Sequence, residues 1–263
     1  MTLDTIRAHC RQLRLPTVAA VVSATLATAQ HEDWPLETFL AHLLEQELDG
    51  RQQRRITRLL KAAHLPTGKT LDTFEQHRLP LRVRRQLTQL AEGAFIPRGD
   101  NLLLFGLPGT GKTHLAAALG YAWIQRNYTV LFTPTYKLVG SLLHAKRDYE
   151  LERELRRLDR FQVVILDDLG YVQQSREEME VLFTFLAERY ERRSVVITSN
   201  LVFSEWNQIF KNPLTTAAAI DRVVHHSLII EFGKEVTSVR AEEAARRNGI
   251  VLDTASPAQS AEG

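Results

Sequence analysis

A glycine-rich stretch near the middle of the chain has the residue types and spacing of a phosphate-binding loop. It reads GLPGTGKT from Gly106 to Thr113 and matches the pattern G-x-x-x-x-G-K-[ST]. In such a loop the glycines let backbone amides turn toward phosphate oxygens at the N-terminus of a helix. We expect Lys112 to reach the β- and γ-phosphates and the Thr113 hydroxyl to ligate Mg²⁺. The sequence therefore predicts a site for ATP or another nucleoside triphosphate, formed by Gly106, Pro108, Gly109, Thr110, Gly111, Lys112, Thr113 and His114.

Two carboxylates follow a second apolar run and could supply the metal and water chemistry. The residues from Val163 to Leu166 are apolar, and Asp167 and Asp168 come directly after them. We expect Asp167 to hold the Mg²⁺ opposite Thr113, and Asp168 to polarise the attacking water. Taken alone, two acids at the end of a strand are more simply a turn. The phosphate-binding loop makes the catalytic interpretation preferable.

Three other polar residues are candidates only in combination with that loop. Asn200 follows the apolar run that begins at Val195, and ligands of parallel sheets bind at the carboxyl ends of the strands. Asn200 is therefore expected to hold the attacking water or the γ-phosphate. Arg222, in a segment of helical pattern, and Arg240 are each typical of solvated surface charges when considered alone.

The elements that position these residues form an alternating pattern. From Asn101 onward, strands that are apolar nearly throughout are separated by longer segments of helical pattern. This pattern indicates an α/β fold, with a parallel sheet covered by helices on both faces. The predicted strands are 101–105, 129–133, 162–166, 194–198 and 227–232.

The chain before this sheet is helical by pattern. Pro, Gly and Thr residues between Leu65 and Leu79 are typical of a connecting segment. We predict a small helical domain over residues 1–66, partly basic, and a nucleotide-binding domain over 67–253. The small and polar residues 254–263 predict a disordered tail.

Composition limits the class of protein. The chain has 263 residues with a formal net charge of +2, so overall charge argues neither for nor against nucleic acid. A single cysteine, Cys10, excludes an intrachain disulfide and fits a reducing compartment. No apolar run is long enough to span a membrane. The apolar stretch from Leu15 to Ala29 resembles a secretory signal but also fits an amphipathic helix, and an ATP site favours the helix and a cytoplasmic location.

A run of cations before residue 66 predicts contact with nucleic acid. The chain has no acidic residue from Arg51 through Lys69, and apolar residues such as Ile56 and Leu60 lie on the opposite face of the same predicted helix. Such a face could contact the phosphates of duplex DNA with little sequence preference; the alternative is a merely solvated face. The five cations are Arg51, Arg54, Arg55, Arg58 and Lys61.

The five pieces in this order resemble an AAA+ ATPase: phosphate-binding loop, Asp-Asp strand, strand-ending Asn, late Asp-Arg and final Arg. More narrowly they resemble the clade of DnaC-type helicase loaders and IstB-type transposition helper ATPases. Three segments most resemble the IstB type: GLPGTGKTHLAAALG, ILDDLGYVQQSREE and AAAIDRVVHHSLIIEF. The resemblance runs from about Leu71 to Arg240 and extends more loosely back to Arg51.

The resemblance implies roles that the residues alone do not. Asn200 matches the first sensor, and Arg240 matches the second. Arg222 matches an arginine finger inserted into the site of a neighbouring subunit, which implies a homo-oligomer. Asp168 stands where most AAA+ proteins have glutamate, which suggests slow hydrolysis. An extra helix after the second strand is implied to line a DNA channel, where Lys137, Lys146 and Arg147 would be the contacts.

These observations favour an ATP-dependent, DNA-binding helper of a transposase. A helicase loader, with a replicative helicase as its partner, remains the alternative on residue chemistry. A metabolic P-loop kinase would need an arginine-rich substrate lid after the loop, which the sequence lacks. A non-enzymatic DNA-binding protein with a vestigial nucleotide site is disfavoured by the intact Lys112, Thr113 and Asp167.

Overall fold

The computed structural model describes residues 2–79, 81–170, 175–201 and 223–232. The chain divides into two compact units, Met1–Lys61 and Ala62–Gly263. The domain boundary predicted at residue 66 lies slightly beyond this division and stays a prediction. The predicted tail, residues 254–263, lies outside the described residues.

The first unit is built from three helices, α1 (Leu3–Gln12), α2 (Pro16–His31) and α3 (Leu36–Ala63), the last of which runs just past the division. Pro16 begins α2 at a position where a missing N–H costs no intrahelical bond. The apolar core of this unit centres on Cys10, Val18, Val22 and Leu43. The stretch that resembles a secretory signal lies in α2, one face of which is buried. No helix in the described part of the chain is long and apolar enough to cross a membrane.

The second unit contains a five-stranded sheet with the strand order β2-β3-β4-β1-β5, and every neighbouring pair is parallel. Each predicted strand is present, within a few residues of its expected bounds. The strands β1, β3 and β4 are buried nearly throughout, as the interior of a parallel sheet requires, whereas Leu228 and Ile229 of the edge strand β5 are exposed. The strands are β1 (Asn101–Phe105), β2 (Val130–Pro134), β3 (Val163–Leu169), β4 (Ser194–Ser199) and β5 (Ser227–Glu231).

The helices of the second unit cover the sheet and connect its strands. They are α4 (Leu81–Glu92), α5 (Lys112–Gln125), α6 (Thr135–Arg147), α7 (Leu151–Leu158) and α8 (Arg176–Arg189), with short 3₁₀ turns at Gln76–Arg78 and Ile96–Arg98. A capping box begins α8: the Ser175 hydroxyl accepts from the Glu178 N–H, and the Glu178 carboxylate accepts from the Ser175 N–H.

The two faces of the sheet pack against different helices. Leu103, Val164 and Ile197 share one apolar cluster with residues of α6 and α8. On the other side, the Ile165 side chain packs against Gly120 of α5. A Cβ added at Gly120 would lie 3.1 Å from Ile165 Cδ1. The predicted fold class, a P-loop parallel sheet with helices on both faces, is confirmed.

A buried arginine fixes the amino ends of two neighbouring strands. The Arg189 guanidinium donates to the carbonyl oxygens of Leu158, Phe161, Gln162 and Ser194 at 2.9–3.2 Å. Burial lowers the pKa of Arg189 to about 9, so the group still carries its charge at neutral pH. Because the cation binds the carbonyls of Gln162 and Ser194 together, it holds the start of β4 beside the start of β3. The opposite ends of the same strands carry the candidate site.

Candidate nucleotide site and basic surfaces

The phosphate-binding loop connects the end of β1 to the start of α5, as the motif requires. Gly106 has a φ of 153°, and a Cβ at this position would lie 2.7 Å from the Cβ of Phe232. Gly111 has a φ of 99° and caps α5 in the left-handed region. Only glycine fits at both positions without strain. The loop is therefore held in a shape that leads directly into the N-terminus of a helix, where backbone N–H groups favour anions.

Lys112 is folded into the loop. Its Nζ donates to the carbonyl oxygens of Gly106 at 2.7 Å and Leu107 at 2.8 Å, and the residue is buried. The Thr110 hydroxyl donates to the same Leu107 carbonyl at 2.8 Å. The ammonium group therefore lies inside the cradle of the loop.

Asp167 lies at the carboxyl end of β3. Together with the phosphate-binding loop after β1 and Asn200 after β4, it lines the surface that we call the nucleotide crevice. Its Oδ1 accepts from the Thr198 hydroxyl at 2.7 Å, and the Thr113 side chain lies close enough to lower the pKa of this carboxylate. Burial raises the pKa of Asp167 and the charge of Asp168 raises it further, while the side chains of Thr198 and Thr113 oppose this only in part. A cation would offset this buried negative charge. A hydroxyl and a carboxylate are the hard oxygen ligands that Mg²⁺ prefers, so the residues fit that ion.

Asp168 has a different environment from its neighbour. Its φ is 58°, in the left-handed region, and the pairing of β3 with β4 shifts register between Leu166 and Leu169. A bulge of this kind re-aims a side chain, and aspartate is among the few residues that tolerate this backbone shape. The Asp168 side chain is exposed, whereas that of Asp167 is buried. The two adjacent carboxylates therefore face different surroundings.

Asn200 follows β4 beside the loop. The Ser199 carbonyl accepts from the Gly106 N–H at 3.3 Å, which joins the end of β4 to the start of the loop. The Asn200 Oδ1 is buried and has no hydrogen-bond partner among the described residues. Its position next to the loop is compatible with the predicted sensor role, which stays a prediction.

A segment before the sheet packs on the first turn of α5. His114 Nε2 lies 3.1 Å from the Thr73 hydroxyl and 3.2 Å from the Thr70 carbonyl, and its ring meets that of Phe74 edge to face. Burial is the main cause that lowers the pKa of His114, with a contribution from the charge of Lys69. The His114 side chain thus anchors this segment. The predicted nucleotide contact from His114, which the backbone N–H could make, stays a prediction.

The basic face of α3 is less uniform than the sequence suggested. The buried Glu47 carboxylate accepts from Arg51 Nε and from an Arg54 guanidinium nitrogen, each at 3.0 Å. It also accepts from the N–H groups of Thr17 and Val18, in the first turn of α2. Although the chain has no acidic residue from Arg51 through Lys69, Glu47 from the preceding turn of α3 therefore neutralises Arg51 and Arg54. In the described part of the chain, Arg55, Arg58 and Lys61 are exposed and form no ion pair.

The second predicted DNA surface lies on α6, in the connection between β2 and β3. Lys146 pairs with Glu180 of α8 at 2.9 Å, and Arg147 lies 3.8 Å from Glu177. Lys137 is exposed. Because acidic side chains of α8 offset two of the three cations, this surface is less positive than the sequence suggested.

The crevice brings together most of the predicted site. The loop, Thr113, Asp167, Asp168 and Asn200 all lie at the carboxyl ends of β1, β3 and β4, whereas Arg222 and Arg240 lie outside the described residues. Sequence reasoning missed Thr198, which bonds to Asp167, and Thr135, whose hydroxyl donates to the Asp167 carbonyl at 3.0 Å. Thr198 follows the apolar run 195–197 and comes two residues before Asn200. Its place at this polar end of a strand was the one feature of the sequence that could have identified it.

The family described as "IstB-like ATP binding protein" matches residues 8–245. The chain belongs to this family. An insertion sequence ATP-binding protein of Sinorhizobium fredii is 45% identical over 237 residues, which cover 90% of this chain and 80% of that protein. An ATP-binding protein of insertion sequence IS21 from Pseudomonas aeruginosa is 36% identical, over 94% of this chain and 92% of that one. The resemblance to IstB-type ATPases is confirmed.

Solved structures agree with this member of the IstB-like family in fold. The crystal structure of DnaI has a TM-score of 0.54 with 23% identity and covers 65% of this chain and 96% of its own. The AMPPCP-bound DnaA of Aquifex aeolicus has a TM-score of 0.53 with 16% identity and covers 73% of this chain and 59% of its own. At these identities the likeness concerns the AAA+ fold alone.

Proposed function

We propose that this IstB-like protein binds ATP with Mg²⁺ in the crevice and hydrolyses it. The observation that carries the proposal is the proximity of Thr113, at the start of α5, to the buried Asp167, at the end of β3, which is close enough for the hydroxyl to lower the pKa of the carboxylate. These two residues would hold the ion, and Lys112 with the loop amides would bind the β- and γ-phosphates. When bound, Mg²⁺ would neutralise charge on the phosphate oxygens. The raised pKa of Asp167 supports this assignment, because it shows that the neighbouring side chains do not fully offset the cost of burying this negative charge.

Hydrolysis is assigned to the exposed neighbour. Asp168 would accept a proton from the attacking water, since the bulge turns its carboxylate away from the buried position that Asp167 occupies. Asn200 would orient that water. Arg222 and Arg240, outside the described residues, would contact the phosphates, Arg222 from a neighbouring subunit. A complete site then requires a homo-oligomer, and we expect slow hydrolysis that oligomerisation stimulates.

We further propose that the oligomer assembles on duplex DNA, in the cytoplasm, as the helper of a transposase. Arg55, Arg58 and Lys61 on α3 support the DNA contact because they are exposed cations without acidic partners in the described residues. The relatives at 45% and 36% identity are named for insertion sequences, which supports a transposase as the partner. The likeness to DnaI concerns the fold alone and does not favour the helicase-loader alternative.

Reconstitution tests the proposal as a whole. The purified chain is incubated with an insertion sequence transposase, duplex DNA and ATP, and DNA-bound complexes, phosphate release and strand transfer are measured. We expect all three with the wild-type chain. Lys112→Ala removes the charge that faces the phosphates and should abolish ATP binding, hydrolysis and the ATP-dependent assembly. Equal strand transfer with and without the chain would refute the helper role, and stable capture of the replicative helicase instead would favour the loader.

A further inference from the structure

A cluster of metal-ligating side chains lies at the edge of the sheet opposite the nucleotide crevice. Glu191 follows α8, and His225 and His226 directly precede β5. These positions adjoin the amino ends of the strands, since the Asn101 N–H of β1 donates to the His226 carbonyl at 2.7 Å. None of the three residues takes part in the proposed ATP chemistry.

The spacing of the three ligand atoms is close to that of a coordination shell. All three lie within 4.8 Å of one another, and His226 Nε2 is 3.2 Å from Glu191 Oε1. Ligands bound to tetrahedral zinc at about 2.0–2.1 Å are separated by about 3.3 Å along each edge. The Glu191–His226 pair already has that separation. The His225 nitrogen needs only a side-chain movement, for which an exposed position leaves room.

The backbone and neighbouring side chains hold the cluster together. Glu191 has a φ of 56°, in a turn whose backbone approaches Gly99. The Tyr190 hydroxyl lies 3.1 Å from His225 Nδ1, and the two histidine rings are 4.2 Å apart between centroids. Hydrogen bonds of this kind restrain the rings of metal-binding histidines.

We propose that Glu191, His225 and His226 bind one transition-metal dication of the Zn²⁺ type, with water completing its coordination. Two imidazoles and one carboxylate form a donor set that suits Zn²⁺, whereas Mg²⁺ prefers oxygen ligands alone. The ion would cross-link the turn after α8 to the residues that lead into β5. This proposal does not depend on the ATP chemistry.

The test is a titration of the full chain, without a histidine tag, with Zn²⁺ in excess Mg²⁺. We expect one bound equivalent by calorimetry and a rise in the melting temperature, because the ion binds only the folded state. His226→Asn and Glu191→Gln should each weaken binding by about 100-fold or more, since losing a direct ligand costs at least as much as losing an outer-shell partner. His31→Asn, an exposed histidine of the first unit, is the matched control and should bind as wild type.

The variants also decide between a metal site and simple hydrogen bonds. Circular dichroism and ATP binding establish that each variant is folded. His225→Gln, which keeps a polar side chain, should bind as weakly as His226→Asn if both rings ligate the ion. Absence of Zn²⁺ binding by the wild-type chain would overturn the proposal. So would equal affinity in the wild-type chain and the three cluster variants, because the cluster would then serve only as an ion pair and a hydrogen bond.

Discussion

Thr198 gives the two carboxylates of the crevice their different settings. Its buried hydroxyl donates to Asp167 Oδ1 at 2.7 Å and accepts from the Asp168 N–H at 2.9 Å. One side chain of β4 therefore fixes the buried acid and also the backbone of the exposed one. Because Asp168 has a left-handed backbone, the second hydrogen bond helps to stabilise the bulge that turns its carboxylate outward.

Replacement of Thr198 tests this arrangement. Thr198→Val keeps the shape of the side chain but leaves a buried acceptor and a backbone N–H without their partner, so we expect the free energy of unfolding to fall by about 1–3 kcal/mol. ATP hydrolysis should fall more than ATP affinity, because Asp168 loses its restraint. Thr198→Ser keeps the hydroxyl and is the control, with near wild-type values in urea unfolding and phosphate release. A folded valine variant with the wild-type rate would contradict the role.

Glu47 connects α3 to the N-terminus of α2. Leu15, which precedes α2, offers no side-chain cap, and the Glu47 carboxylate of α3 instead accepts the N–H groups of Thr17 and Val18. A negative charge at that end of a helix is favourable. Burial raises the pKa of Glu47, but the hydrogen bonds from Arg51 and from the α2 backbone, with the charge of Arg54, outweigh it and lower the pKa. Two arginines assigned to DNA therefore also stabilise the fold.

The lowered pKa of Glu47 sets the direction of a pH effect. The folded chain holds the carboxylate deprotonated below its usual pKa of 4.5, so its contribution to stability is complete above that pH and is lost as the pH falls further. Glu47→Gln should destabilise the first unit by about 1–3 kcal/mol at pH 7, with the difference from wild type shrinking in acid. Hydrogen exchange of α2 amides measures this. Exposed Glu45→Gln is the control, and unchanged exchange of α2 in the Glu47→Gln variant would contradict the prediction.

The free cations of α3 permit a test of DNA binding that spares the fold. Arg55→Ala with Arg58→Ala removes two exposed charges without touching Glu47, and alanine favours helix. We expect weaker duplex binding, with the slope of log affinity against log salt reduced by about two. Arg84→Ala with Arg85→Ala on α4 changes the net charge equally and should leave affinity near wild type. Equal losses in both double variants would mean that only overall charge matters.

Local features of the fold and of the candidate site could be predicted from the sequence, whereas long-range contacts could not. The strands and the loop were predictable because a buried parallel strand is a continuous apolar run and the loop motif lies within one short segment. Glu47 and Arg54 lie seven positions apart on α3, so helical periodicity could have placed them on one face. The bonds of Thr17 to Arg54 across 37 positions, and to Glu47 across 30, depend on how α2 packs on α3, which periodicity does not specify. The bulge at Asp168 was equally hidden, since its partner Thr198 lies 30 positions away.

Across the whole molecule, the proposed functions are divided between the two units. The nucleotide crevice lies in Ala62–Gly263, and the exposed cations of α3 lie in Met1–Lys61. One subunit as described supplies the loop, Asp167, Asp168 and Asn200. The proposed finger, Arg222, lies outside the described residues, and its partner would be the site of another copy. Activity would then belong to the interface between copies, so the decisive experiment must act on the assembly.

Mixing two inactive variants tests that interface. Asp168→Asn removes the proposed base, yet asparagine tolerates the left-handed backbone, so the fold and ATP binding should persist. Arg222→Ala keeps an intact site but lacks the finger, a loss of about 10³-fold or more in rate for arginine fingers. In equimolar mixtures, an intact site should meet an intact finger at about one interface in four, so about a quarter of wild-type hydrolysis should return. Native mass spectrometry must first establish co-assembly. If co-assembled mixtures remain as inactive as each variant alone, Arg222 does not act on a neighbouring subunit, because the intact finger and the intact site would then be present together without effect.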